Sequence, residues 1–502
     1  MSALNLQARV VSQPTPPYRD QRIPRASDSD AFRQYMATGW GVTEKAAEIP
    51  AGAAAAAARH RETLSQAWSG HTLVIANGRP VIRAGDQHFA FRADSDFMWL
   101  TGCDEPGSAL VMRPTGTGHE AVLFIPRPFS PSETGFYLDV VRGPLWTGPL
   151  TSLESWAEAL GIEVRPADEL DSFVDPLSRV RFAGDGHMIR GWGAAISDLL
   201  RESLATLRLV KDPWEVDQLR SAVDVTVDGF AQVATELPQA VRRGGERWLQ
   251  GTFDRYARTF GNGVGYQTIV GSGGHAPVLH WTAGTGPVRS GEIVLADMGV
   301  EMPTLYTADV TRTMPVNGEF SDAQRAVYDI VHAAHLEALA ACGPGQPYAG
   351  FTHAAMRVLA TGLRDLGLLP VSVEQALSPA GQQHRRFIVC GVGHHLGLDV
   401  HDCAHADFDD YQGADLVPGM VFTVEPGLYF HPADVSVPPE LRGIGVRIED
   451  DVLVTTEGID VLSSGLPIDS AGLEAWTRRW LEVAENRDPS LADQNMYGLA
   501  RR

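Results

Sequence analysis

Four carboxylates in this chain stand inside apolar, strand-like runs, where a charge is costly to bury unless it is paired or coordinated. Asp297 ends the run GEIVLAD, and Asp309 opens DVTRT twelve positions later. Glu425 closes the β-branched run MVFTVE, and Glu449 lies in GIGVRIEDD, two residues after Arg447 and so on the same strand face. Two carboxylates at the inner end of a hairpin repel each other unless a proton or a cation sits between them. Two further stretches bring imidazoles: GVGHHLGLDVHD, with His394, His395 and His401, and GYQTIVGSGGHAPVLHWT, with His275 and His280. Four negative charges match two divalent cations, and a hydroxide held between two such cations is hydrolytic chemistry.

These groups have to be positioned by a sheet. Ile293, Leu295 and Asp297 alternate with Val294 and Ala296, and Asp309, Thr311 and Thr313 share one face of a returning strand. Strand-rich stretches are expected over 265–281, 291–316, 386–402, 419–430 and 442–455. Helices flank them. Asp212, Pro213 and Glu215 form a capping box ahead of a face made by Val216, Leu219, Val223, Val227, Phe230 and Val233. A second box, Ser321 with Gln324, opens a helix that Gly343-Pro344-Gly345 ends, and a third helix covers roughly 348–366. Helices on one face of a largely antiparallel sheet make an α+β domain. Upstream, HTLVIANG, EAVLFIPRP and VRFAGDG read as strands alternating with helices such as SLESWAEALG, which is a smaller α/β region without a cluster of ligand-type residues. The expected division is an N-terminal arm, 1–44; an α/β domain, 45–209; a catalytic domain, 210–475; and a C-terminal tail, 476–502.

A chain of 502 residues exceeds one core. Its 41 Lys and Arg against 62 Asp and Glu give a charge of −21, which argues against nucleic acid or an anionic membrane as partner. No apolar run approaches the ~20 residues of a membrane span. Four scattered cysteines, Cys103, Cys342, Cys390 and Cys403, suggest a reducing, cytoplasmic setting. His275, His384, His405 and His431 are expected to be surface or satisfied core residues. Asp450 and Asp451 read as a solvated strand edge and an ion-pair partner. The glycines of GSGG and GVG lack the strand–turn–helix context of a nucleotide site. Trp281, beside His280, is placed to wall a pocket.

In LADMGVE, YTADVTRT, GHHLGLDVHD, TVEPGLY and GVRIEDD, the order Asp, Asp, His, Glu, Glu resembles the proline-specific metallopeptidases of the aminopeptidase P and prolidase group. The resemblance covers about residues 211–470, and DSDFMWLTGCDEPGSALVM is similar to the N-terminal domain of aminopeptidase P. It implies a pita-bread catalytic domain behind a smaller creatinase-like α/β domain. It also implies two divalent metal ions, Mn2+ first, with Co2+ or Zn2+ able to substitute. On this likeness Asp297 is a terminal ligand, Asp309 and Glu449 bridge the ions, and His394 and Glu425 complete the second ion. Glu425 also shuttles a proton. His401 contacts the substrate carbonyl, His280 stands near the leaving group, and Arg447 orients a ligand carboxylate. Cys390 occupies a position where relatives often carry histidine.

The implied activity is removal of an N-terminal residue before a penultimate proline, by hydroxide activated between two metal ions. Its partners would be peptides with penultimate proline, and relatives suggest a homo-oligomer, dimer or tetramer. A prolidase confined to Xaa-Pro dipeptides is the alternative within the same chemistry. A metal-free relative that only binds peptide is the alternative outside it. Asp297 and Asp309 lie one residue further apart than in many relatives, so a loop or bulge in VEMPTLYTA is required to keep both on their faces.

Overall fold

The structure is a computed structural model that describes residues 29–487. Most of the expected N-terminal arm and the end of the expected tail therefore lie outside the described residues. The chain divides into two compact units at Leu207 and Arg208.

The first unit is built on a five-stranded mixed sheet. Thr72–Ala76 runs antiparallel to Ala109–Pro114 and parallel to Val180–Gly184, and His119–Ile125 joins Ala109–Pro114 to Glu163–Pro166. Apolar residues from these strands, Val74, Val111, Val122 and Phe124 among them, pack with Leu170, Val174, Met188, Ile189 and Trp192. Helix Leu153–Leu160 starts on the Ser152 hydroxyl, which accepts from the Ser155 N–H, and ends on Gly161 at φ 65°. A left-handed residue at that position favours glycine.

The second unit carries antiparallel strands, and the four acids lie in them or at their ends. Ile269–Ser272, Ile293–Met298 and Val310–Pro315 form one sheet, with Asp297 opposite Thr311. Val421–Val424, Asp450–Val454 and Ile459–Val461 form another, and Gly427–Tyr429 pairs with Gly445–Arg447. The sheets meet where Thr311 bridges Glu449, so the ends that carry acids converge. Both expected capping boxes are present, on helices Pro213–Thr235 and Asp322–Ala340, and Tyr348–Asp365 follows. Ala222 and Val223 of the first of these helices pack with Ala308, Met302 and Leu462, which fixes the connection between the two Asp strands.

Three features differ from the sequence reading. Segment 386–402 contains no regular strand among the described residues. It runs beside Val421–Val424 instead, with Leu396 N–H donating to Val421 O at 3.0 Å, Thr423 N–H to His394 O at 2.9 Å and Glu425 N–H to Val392 O at 2.9 Å. Glycines permit this close approach: a Cβ on Gly393 would lie 2.2 Å from Thr423 O, and one on Gly397 2.1 Å from Asp402 Oδ2. Asp450 and Asp451 are not a solvated edge but 1% and 0% exposed, because their strand is paired on both sides. Asp450 is held by Arg312 at 2.7 Å and His335 at 3.1 Å, and Asp451 Oδ2 accepts the Asp309 N–H at 3.1 Å. The third feature is helix Gly245–Phe260, which carries no capping signal in its sequence because it opens on Gly244 and Gly245 without a side-chain cap.

Candidate active site

Asp297 stands near the end of its strand, whereas Asp309 sits one residue before the returning strand. The connection between them turns inside itself. Leu305 adopts φ 68°, its N–H donates to Met302 O at 2.8 Å, and Glu301 bridges Thr307. That turn takes up the intervening residues while both carboxylates reach the same place. Tyr266 Oη lies 2.6 Å from Asp297 Oδ1 and 2.6 Å from Asp309 Oδ1. A single phenolic proton serves one of these contacts, so the other calls for a further proton or a cation.

The remaining acids join from the second sheet. Glu449 Oε2 accepts from the Thr311 hydroxyl at 2.6 Å. Glu425 Oε1 lies 3.6 Å from His394 Nε2, which is 3.3 Å from Asp309 Oδ2. Ligand atoms of Asp309, His394 and Glu449 all lie within 4.8 Å of one another. His394 Nδ1 donates to His395 O at 3.2 Å, which turns Nε2 toward the carboxylates. Arg447, 3% exposed, donates through Nη2 to Asp297 Oδ2, through Nε to Thr311 Oγ1 at 3.0 Å and through Nη1 to Tyr429 Oη at 3.0 Å.

Charge is badly balanced here. Burial pushes the Asp297 carboxyl up to about 7, with Arg447 opposing and Asp309 adding to the effect. Burial and the neighbouring Asp309, Glu425 and Asp297 drive Glu449 well above the carboxylate range, and burial raises Glu425 against the pull of His394 and Arg447. Burial acts on Asp309 too, but the hydrogen bond and charge of His394 outweigh it and hold that carboxyl low. Burial alone would lower His394, yet Asp309 and Glu425 lift it to about 9. Such a cluster keeps its negative charge only where a cation touches it. Four carboxylates and one imidazole nitrogen form a hard, oxygen-rich donor set, so the residues present fit divalent metal ions.

These groups line a cavity of about 910 Å³ together with Pro277, Leu279, His280, His401, Cys390 and Tyr429. The rings of His394 and His401 are 4.2 Å apart at 76°. Burial and then His394 depress His401 below the usual imidazole range. All eight residues singled out from the sequence therefore border this space: Asp297, Asp309, His394, Glu425, Glu449, His280, His401 and Arg447. His395 turns away to stack on Tyr348 at 4.8 Å, and burial followed by Lys211 lowers it to about 3. His275 binds Glu246, and His431, expected at the surface or in the core, lines the cavity. Nothing in the sequence marks Tyr266, because a tyrosine in a strand-like run is ordinary core composition; only its contact with both aspartates sets it apart.

Comparison with known proteins agrees with this geometry. Metallopeptidase family M24 matches residues 217–456, and the N-terminal domain of aminopeptidase P matches 57–181. Xaa-Pro aminopeptidase 2 of Streptomyces coelicolor is 43% identical over 458 residues, covering 89% of this chain and 95% of the relative. The chain belongs to the Xaa-Pro aminopeptidases of family M24. Among solved structures, aminopeptidase P from E. coli in its low-pH form aligns with TM-score 0.74 at 30% identity, covering 86% of this chain and 99% of the other. Proline aminopeptidase P II from Yersinia pestis aligns with TM-score 0.73 at 32% identity, over 85% and 99%. This member of the family thus has the two-domain aminopeptidase P fold, with a C-terminal pita-bread domain, and is a metal-dependent hydrolase. No helix among its described residues is long and apolar enough to cross a membrane.

Proposed function

We propose that the protein is an aminopeptidase that hydrolyses the bond between an N-terminal residue and a penultimate proline. One observation carries this: the cluster of Asp297, Asp309, His394, Glu425 and Glu449, short of positive charge, opens onto a cavity that His280 and His401 also line. These five would hold two divalent ions. When bound, the ions supply Lewis-acid polarisation and lower the pKa of a water. Arg447 fixes Asp297, and through Thr311 it also steadies Glu449. Glu425 takes a proton from the attacking water and returns it as the C–N bond breaks. His401, uncharged at neutral pH, donates to the carbonyl oxygen as negative charge develops there. His280 serves the departing proline nitrogen. Proline calls for a dedicated enzyme because its tertiary amide has no N–H and its φ is fixed.

The oxygen-rich donor set supports Mn2+, with Co2+ or Zn2+ as substitutes. Four free cysteines accord with a cytoplasmic location. A homodimer or tetramer, and the division 1–44, 45–209, 210–475 and 476–502, complete the proposal. The cavity stands near the top of the roughly 300–1,000 Å³ range of ligand sites, which leaves room for residues beyond proline and favours an aminopeptidase over a prolidase. A metal-titrated assay on Xaa-Pro, Xaa-Pro-Yaa-Zaa and Xaa-Ala-Yaa-Zaa peptides tests it. Cleavage of the longer proline peptide is expected. Cleavage of the dipeptide alone would make the protein a prolidase, and equal cleavage of the alanine peptide would remove the proline requirement.

A further inference from the structure

Helix Gly245–Phe260 contributes nothing to the cavity lining, yet it carries a carboxylate that no step above uses. Glu246 is 0% exposed. Its Oε1 accepts from the Ser272 N–H at 2.9 Å and faces His275 Nδ1 at 2.8 Å. Its Oε2 accepts from the Trp281 indole N–H at 2.7 Å and the Gly286 N–H at 2.6 Å. Four partners surround the two carboxylate oxygens, and all four come from the fifteen-residue span 272–286. That span includes His280 and cavity-wall residues Pro277, Val278 and Leu279.

From 276 to 290 the chain is in neither helix nor strand, so no backbone ladder sets where His280 stands. The helix does so with side chains one turn apart. Gln250 Nε2 donates to Thr268 O at 3.0 Å and Thr282 O at 3.1 Å, and Asp254 Oδ1 accepts from the Thr268 hydroxyl at 2.6 Å. Residues 246, 250 and 254 lie on one helix face by their spacing. The fit is close. A Cβ on Gly286 would come within 2.7 Å of the Glu246 carboxylate, and one on Gly284 within 2.0 Å of Gln250 Oε1. The His275 and Trp281 rings, one bonded to each carboxylate oxygen, stack on each other at 3.8 Å, and Trp281 is the residue next to His280.

We propose that Glu246, supported by Gln250, is a positioning residue that sets the His280 segment against the cavity. Its catalytic consequence rests on the function proposed above, in which His280 serves the departing proline nitrogen. Gln in place of Glu246 has one acceptor oxygen and turns an NH2 group toward two N–H donors, so half of the clamp opens.

The test compares the wild type, Glu246→Gln, His280→Ala and the double variant, each loaded with Mn2+, on an Xaa-Pro-Yaa-Zaa peptide. Hydrogen exchange of each is followed by mass spectrometry. In Glu246→Gln the amides of 272–286 should exchange about tenfold faster, the scale of one lost charged hydrogen bond, while those of Ile293–Met298 do not change. kcat should fall by roughly 10- to 100-fold, as expected for a misplaced catalytic group, with KM within about threefold. In the His280→Ala background the same substitution should cost less than about threefold, because both changes act through one imidazole. Unchanged exchange over 272–286 would overturn the clamp. An equal loss of kcat with and without His280 would overturn its positioning role. A wild type that cleaves no proline peptide would refute the proposed function alone, since the exchange comparison needs no turnover. If Glu246→Gln does not fold, Trp281→Phe removes one donor while keeping the stacked ring, and it carries the same comparisons.

Discussion

Replacing Asp402 by alanine should destabilise the second unit more than almost any other single truncation there. Its carboxylate is 1% exposed, accepts from Arg208 Nη2 at 2.9 Å and lies 3.5 Å from the Lys211 ammonium, itself 1% exposed. Burial raises the Asp402 carboxyl, but Arg208 and then Lys211 outweigh that and hold it below its ordinary range, so it is ionised at neutral pH. Its removal takes away the charge that compensates Lys211. Breaking a buried pair from one side costs about 3–5 kcal/mol. At about 2 °C per kcal/mol for a unit of this size, the melting temperature should drop by roughly 6–10 °C. The cost comes from a stranded cation, so Asp402→Ala combined with Lys211→Met should recover a large part of the loss. Differential scanning calorimetry on the metal-loaded proteins reads both numbers. A drop under about 2 °C, or a double variant no better than the single one, would show that the pair does not bear on stability. Turnover should fall as well, because Asp402 follows His401 and its N–H donates to His395 O at 3.0 Å.

Chelation should lower the melting temperature more at pH 8 than at pH 5.5. A carboxyl whose folded pKa is raised, as Asp297 is to about 7, stabilises the metal-free fold below its unfolded value and loses that contribution as pH rises from about 4 to 7; an equal drop at both pH values would refute this. Arg447→Lys keeps the charge but not the three-way contact with Asp297, Thr311 and Tyr429, and should weaken metal binding by about 10- to 100-fold in a competition titration. Unchanged affinity would mean that Arg447 does not orient Asp297. Gly299→Ala puts a Cβ 1.7 Å from Ala308 O and should cost at least about 1–3 kcal/mol together with metal stoichiometry, whereas Gly350→Ala, with nothing within 4 Å, should cost nothing. Thermal melts of the two side by side decide the point.

The groups that meet at the site were legible because each acid interrupts an apolar run, and a buried charge is too costly to place without a partner. Asp297, Asp309, Glu425 and Glu449 announce themselves in that way, and the capping boxes at Asp212 and Ser321 mark their helices by local chemistry alone. Asp450 and Asp451 show the limit of such reading. Their sequence reads as a solvated strand edge and an ion-pair partner; the ion pair exists, but nothing local says that other strands will cover both sides or that the partner is Arg312, some 140 positions earlier in the chain.

What the sequence determined by itself was the kind of chemistry, because residue types and local periodicity set which groups are costly to bury and which elements carry them. What only the tertiary structure decided was how those elements meet. The turn at Leu305 lets two aspartates reach one tyrosine, glycines at 393 and 397 bring His394 beside Glu425 without a regular strand, and Glu246 gathers four partners from a loop 26 to 40 residues away. Such contacts are long-range, and their energy depends on shape and mutual burial, which no single stretch of sequence contains.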